Sequence, residues 1–355
     1  MDLVQKLSDA LGVDWPSIAR AGTASKDRLV SLQTVLSPLT TEDTSIVLFG
    51  SLARKELTSG SDMDWVLLVD GIADPSHLDA AIEVQESLKN HQLKGPGAEA
   101  TFGGLVFSHD LINYIGGSDD TNANLTQRML LLLESVCVGR RDSYDRVISN
   151  TLRRYIDEDF GWLNGSNPKN VPRFLLNDIA RYWRTLAIDF AYKRRQRAGR
   201  GWALRTAKLR LSRKLIYASG LLMCFRCGKE FNTHQLSLSP EEGSESAALA
   251  VVDQLTEYIK LTPLERFAQL FLETPGLKTP AIKMFDAYED FLLLLNDDDK
   301  RRHLENLAKD DVPTDSLYAD VRQLGHRFQD SLDQIFFNPE DRTGLYELTR
   351  TYGVF

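Results

Sequence analysis

Apolar residues in the first 44 positions recur at helical spacing, with Leu3, Leu7 and Leu11 followed by Leu29, Leu32 and Val35, and with Pro16 and Gly22 as breaks. The pattern then changes. Ser45–Phe49 is a short apolar run stopped by Gly50-Ser51, the length of a strand rather than a helix. A short helix-like stretch, Leu52–Leu57, and a turn at Thr58-Ser59-Gly60-Ser61 lead into a second strand over Asp62–Asp70, which alternates and then becomes continuously apolar. Pro75–Asn90 has amphipathic helical periodicity, and Ala98–Phe107 is the candidate third strand. Beyond Asn122 nearly everything reads as helix: 123–136, 142–158, 171–193, 202–227, 246–260, 278–296 and 315–336, with connectors at 162–172 and 228–245. The expected fold is α+β: a small mixed β-sheet head with flanking helices over 1–120, then a mostly helical domain over 121–355.

Composition narrows the class. With 43% hydrophobic and 26% charged residues among 355, a disordered or fibrous chain is excluded. The longest apolar runs, near Met129–Leu133 and Phe291–Leu295, fall far short of the roughly 18 residues that span a bilayer, so no membrane insertion is expected. Met1-Asp2-Leu3-Val4-Gln5 lacks a basic region leading into an apolar core, and three cysteines do not make a disulfide framework; both point to the cytoplasm. Cys224-Phe225-Arg226-Cys227 is a single C-x-x-C whose further partners, Cys137 and His234, are scattered, so zinc is not expected.

Charge is distributed unevenly. Arg181–Lys214 holds twelve basic residues against one acid, Asp189, giving +11 and leaving −19 for the rest of a chain of net charge −8. An acidic body with one concentrated basic segment focuses positive potential locally, which suits phosphate groups better than a long nucleic-acid track; the alternative is a solvated helix face.

The chemistry sits around that contrast. Gly50-Ser51 stands where a strand passes into a helix, and the free N–H groups of a helix start bind anions that glycine allows to approach closely. Eleven residues on, Asp62 and Asp64 stand at i and i+2 of the expected strand, so their carboxylates share a face. Paired carboxylates repel unless a cation lies between them, and oxygen ligands suit Mg²⁺. Such a pair beside a phosphate site is what metal-assisted phosphoryl or nucleotidyl transfer requires.

The run Leu48-Phe49-Gly50-Ser51-Leu52-Ala53-Arg54-Lys55-Glu56, followed by Gly60-Ser61-Asp62-Met63-Asp64-Trp65-Val66-Leu67-Leu68-Val69, resembles the signature of the polymerase-β-like nucleotidyltransferases. The resemblance implies that Gly50 and Ser51 grip a triphosphate and that Asp62 and Asp64 bind two Mg²⁺ ions, for which Mn²⁺ can substitute. It also implies that Ser61 is the small residue before the acids and Arg54 the basic residue after the turn. The best candidate for the third carboxylate of many members is Glu99, with Asp110 and Asp120 in less regular segments. The lysine and serine that cover the β- and γ-phosphates in the superfamily are matched in residue type by Lys208 and Ser212, backed by Arg205 or Lys214. Tyr182, Trp183 and Trp202 interleave with these bases as stacking partners or as core residues.

Three further segments, Ile115–Asn122, Arg128–Ser135 and Pro172–Thr185, resemble the nucleotidyltransferases of the Hailong anti-phage defence system. That resemblance implies ATP or dATP as substrate, a short single-stranded oligodeoxyadenylate-like product, a membrane effector protein as partner, and a tyrosine primer. The apolar tail, Leu345–Phe355, either packs on the body or offers Tyr352 or Tyr346 as acceptor. The competing functions are single-nucleotide transfer of the AMPylation type to a protein, tRNA or small molecule, and a non-catalytic nucleotide sensor or toxin–antitoxin module.

Overall fold

In the computed structural model, residues 2–91, 94–96, 101–157, 159, 171–196, 201–228, 244–340 and 343–353 are described. The chain opens with α1 (Leu3–Leu11) and α2 (Pro16–Leu36). No side chain of its own caps α2; instead the Glu289 carboxylate accepts from the N–H groups of Ser17 and Ile18 at 2.7 and 2.9 Å. A helix start satisfied from 271 residues downstream ties the beginning of the chain to its helical C-terminal third.

The sheet has the order β3-β2-β1-β4. β1 (Thr44–Phe49) runs antiparallel to β2 (Trp65–Val69), with Ile46 opposite Leu67; between them lies α3 (Gly50–Ala53). After α4 (Ser76–Asn90), β3 (Gly104–Phe107) pairs parallel with β2. Every residue of β1 and β2 is buried, as helices covering both sheet faces require. Ile46, Leu48, Trp65 and Leu67 face Leu32 and Leu36 of α2 and Val84 and Leu88 of α4. Val47, Phe49, Val66 and Leu68 join the main core on the other side.

The helical body comprises α5 (Ser108–Asn113), α6 (Asn122–Leu133), α7 (Asp142–Asp157), α8 (Arg173–Gln196), α9 (Trp202–Lys208) and α10 (Lys214–Phe225). It continues through α11 (Ser244–Ile259), α12 (Pro263–Glu273), α13 (Lys278–Leu295), α14 (Asp298–Asn306), α15 (Ser316–Phe336) and α16 (Leu345–Leu348). No described helix is long and apolar enough to cross a membrane. The α+β fold expected from the hydrophobic pattern is the fold observed.

Four local readings change. β2 starts at Trp65, so Asp62 and Asp64 precede the strand, although Phe49 N–H still donates to Asp64 O at 2.9 Å and extends the β1 pairing. The third strand forms over Gly104–Phe107, after Gly103 turns the chain with φ +86°. Helix 123–136 ends at Leu133, and β4 (Ser135–Val138) pairs antiparallel with β1; its four residues merge with the preceding apolar run and give no separate signal. The segment read as helix 202–227 contains a π-turn at Leu209–Arg213 between α9 and α10.

Candidate active site

The site forms where β1 ends. Gly50 takes φ +73°, a left-handed conformation that favours glycine, and a Cβ there would stand 3.4 Å from Asp64 Oδ2. Over 62–65 burial alternates: Met63 and Trp65 are buried, while Asp62 is exposed and Asp64 half-buried, and both aspartates line the same cleft. Because α3 is a single turn, its dipole is small, and an anion at Gly50-Ser51 would be met by backbone N–H groups and nearby cations.

Those cations come from the far wall. Gly50, Ser51, Ser61, Asp62 and Asp64 line one cleft together with Lys208, Ser212 and Arg213 of the α9–π-turn–α10 segment. A π-turn closes i to i+5, which lets Lys208, Ser212 and Arg213 all reach the cleft. Arg301 of α14 adds a further guanidinium, and Phe291 and Leu295 of α13 supply an apolar wall. Arg301 also donates to Gly60 O, and Ser59 Oγ donates to Asp298 at 2.8 Å, so α14 clamps the turn before the aspartates. Ser61 Oγ closes that turn by accepting from Thr58 N–H at 3.0 Å.

Beneath the cleft lies a buried ionic floor. Arg54 Nε meets Glu56 at 2.8 Å, its Nη1 meets Glu134, and Tyr288 donates its hydroxyl to Glu56 at 2.8 Å. The other Glu134 oxygen faces Arg213 Nη1 at 3.5 Å. Arg54 thus borders the cleft with its guanidinium already held by two carboxylates.

Burial pushes the Asp64 carboxyl above its ordinary value; Arg213 opposes the shift, and Glu134 and Asp62 add to it. Burial, reinforced by Arg213 and Arg301, pushes the Lys208 ammonium down to about 8. A polyanion in the cleft would relieve Lys208, and a cation would relieve Asp64.

Asp62 and Asp64 fit a divalent ion in donor chemistry, two hard carboxylates lining the same cleft. Lys94 Nζ pairs with Asp62 Oδ1 at 2.5 Å, both side chains being exposed. Among the described residues no group of three or more His, Cys, Asp or Glu side chains could hold a metal. Asp62 and Asp64 would therefore need ligands from nucleotide or water to complete a coordination shell.

Other candidates lie elsewhere. Glu99 falls outside the described residues. Asp120 is buried and bound by Arg128 at 3.0 and 2.9 Å and by Arg181 at 2.9 Å, and Arg128 also meets Asp178 at 3.0 Å. This cluster joins the segments around 120, 128 and 178, and it occupies both Asp120 and Arg181. Arg205 Nε turns back to Gly201 O at 3.1 Å, and Lys214 Nζ donates to Gln329 at 2.5 Å in a separate pocket that holds Trp183 and Tyr217. Trp202 packs on Tyr318 at 5.0 Å and Tyr182 is fully buried, so neither lines the cleft. The tail also packs on the body: Leu345 and Leu348 are buried, Tyr352 rests against the core, and neither Tyr346 nor Tyr352 lines the cleft. Cys137, Cys224 and Cys227 are free, buried thiols; His234 lies outside the described residues.

Arg213, Arg301, Glu134 and Lys94 were not anticipated. Arg213 stands five residues from Lys208, off the i, i+4 spacing that marks a shared helical face, and Arg301 sits in a mixed-charge run next to three aspartates.

The family model described as "Nucleotidyltransferase domain" matches residues 32–94, from within α2 through both aspartates to just beyond α4. Searches of curated proteins and of solved structures found no match. The matched segment, 63 of 355 residues, contains Gly50, Ser51, Asp62 and Asp64, and over it the chain is similar to a nucleotidyltransferase domain.

Proposed function

We propose that this protein transfers a nucleoside monophosphate from a triphosphate, with ATP or dATP favoured, to a hydroxyl acceptor in a Mg²⁺-dependent reaction. We propose further that it repeats the step to build a short single-stranded, oligodeoxyadenylate-like signal, acting in the cytoplasm on a membrane effector in anti-phage defence. The observation that carries the transfer reading is the convergence of two aspartates, the Gly50-Ser51 turn and the cations Lys208, Arg213 and Arg301 on one cleft. The extension to an oligonucleotide signal rests on the resemblance of the segments around Asp120, Arg128 and Asp178.

Two Mg²⁺ ions, or Mn²⁺ in their place, would be held by Asp62 and Asp64 and would supply charge neutralisation and activation of the acceptor hydroxyl. The chain's own groups do the rest. Gly50 and Ser51 seat the triphosphate, Lys208 and Ser212 face its outer phosphates, and Arg213 and Arg301 stabilise the charge that develops on the departing pyrophosphate. Phe291 and Leu295 offer an apolar surface to the base. The acceptor oxygen bonds to the α-phosphorus as the α–β bridging bond breaks, and Glu99 is the candidate base for the acceptor proton. In this reading residues 1–120 form the catalytic head, and 121–355 form the body that closes the cleft. Tyr352 or Tyr346 is the candidate first acceptor, which requires the tail to leave its packing.

The test is incubation of the purified chain with each of the eight labelled nucleotides and Mg²⁺, resolved by gel and mass spectrometry. A ladder or labelled protein, lost in Asp62→Ala and Asp64→Ala, supports the proposal, and loss of the protein label in Tyr352→Phe or Tyr346→Phe identifies the primer. One addition to a supplied acceptor favours single-nucleotide transfer. Intact nucleotide despite measurable binding sinks the catalytic reading.

A further inference from the structure

The cleft uses only part of the basic segment. On α8, Arg184, Ile188, Tyr192 and Arg195 stand at i, i+4, i+8 and i+11, within an arc of about 80° at 3.6 residues per turn. All four are exposed, Ile188 at 70% and Tyr192 at 63%, which is unusual for large apolar groups on a body helix. Arg184 and Arg195 have no ion-pair partner among the described residues, whereas Arg181, one turn earlier, is held by Asp120. The segment's single acid, Asp189, lies about 140° round from Arg184 and about 60° from Tyr192, at the border of this face. Next to the stripe, Trp183 stacks on Tyr217 with ring centroids 5.3 Å apart and planes 16° from parallel. Tyr217 lines a pocket apart from the cleft but follows the cleft residue Arg213 by one helical turn.

We propose that this exposed face of α8 binds single-stranded nucleic acid, the strand that the cleft extends; in naming that strand the proposal rests on the transfer reading. The arginines take phosphates, and Tyr192 and the side of Ile188 meet base faces, a combination of cation and π-surface that is indifferent to base sequence. Charge complementarity selects the occupant: two guanidiniums with no ion-pair partner among the described residues flank the apolar pair within the basic segment.

Fluorescence anisotropy of a short labelled deoxyadenylate strand tests this, using the full chain in EDTA without nucleotide. The expected result is binding that weakens with salt. It should fall about 10-fold or more in Arg184→Glu/Arg195→Glu, with a salt slope shallower by about 1–2. Tyr192→Ala should weaken binding about 5-fold or more, while a fluorescent triphosphate binds as in the unaltered chain. Ultraviolet crosslinking from a photoreactive base should map to Tyr192, which covers the case of a variant that folds poorly. Absence of strand binding, full binding by the charge-reversed variant, or binding of anionic vesicles that the strand does not displace would each overturn the proposal. Strand binding lost in these variants, with no nucleotide ever transferred, would remove the transfer reading and leave this face standing. Transfer without strand binding would do the reverse.

Discussion

Gly50 and Asp64 are neighbours across the mouth of the sheet: a Cβ on residue 50 would lie 3.4 Å from the Asp64 carboxylate oxygen, at a backbone φ of +73°. Gly50→Ala therefore imposes strain and fills the space beside Asp64 where the proposed phosphate would sit. Its expected cost in stability is about 1 kcal/mol, seen as a lower Tm, with a rise in KM for the triphosphate larger than that stability loss implies. An unchanged KM would show that nothing binds against this turn.

Asp64 gives a pH-dependent prediction. Burial raises its carboxyl above the unfolded value, so the folded state holds that proton more tightly. Its contribution favours folding below the unfolded value and is lost as pH rises through the folded one. In EDTA at neutral pH, Asp64→Asn should thus melt higher than the unaltered chain, and the gain should shrink as pH falls into the carboxylate range. Mg²⁺ should raise the Tm of the unaltered chain but not of the variant, and transfer should fall about 100-fold or more. A variant that melts lower in EDTA at neutral pH contradicts this account.

Lys208 titrates at about 8 in the nucleotide-free protein, pushed down by burial, Arg213 and Arg301. Triphosphate binding favours the charged form, so nucleotide affinity should drop as pH rises through about 8, a step that Lys208→Met abolishes. Stability moves the opposite way. Between about 8 and the unfolded value of 10.5 the unfolded chain binds more protons at this site, so folding gains as pH rises. Calorimetric titration and melts across this range read the two trends separately.

The ionic floor predicts a split between stability and binding. Arg54→Ala leaves Glu56 and Glu134 buried without their shared cation, at an expected cost of about 3–5 kcal/mol. Glu134→Gln keeps the Arg54–Glu56 contact but weakens both the buried Arg54 pair and the Arg213 contact, so it should lower Tm and also raise KM for the triphosphate, whereas Arg54→Ala should act mainly on Tm. Equal KM values in Glu134→Gln and the unaltered chain would show that Glu134 does not position Arg213.

Much of the near wall was legible because it is local. Two apolar strands, a glycine-serine stop and an Asp-x-Asp pair lie within 26 residues, Ser45–Asp70, where periodicity and turn chemistry act directly. The far wall was legible only in part. Lys208 and Ser212 keep the i, i+4 spacing of a regular helix, whereas the π-turn brings in Arg213 at a spacing no helical pattern marks. Arg301 and Glu134 reach the site through tertiary packing alone, and β4 was hidden because strand pairing, not propensity, decides a four-residue segment.

The π-turn at Leu209–Arg213 makes the far wall sensitive to chain length. The turn holds one residue more than the same length of ordinary helix, so closing it into α-helical hydrogen bonds with that residue kept would turn everything downstream by about 100°. Lys208 would stay in place while Arg213 swung aside and the buried side of Leu215–Phe225 rotated out of the interior. Substitutions in this stretch can be absorbed side chain by side chain, but its residue count acts as a spacer setting.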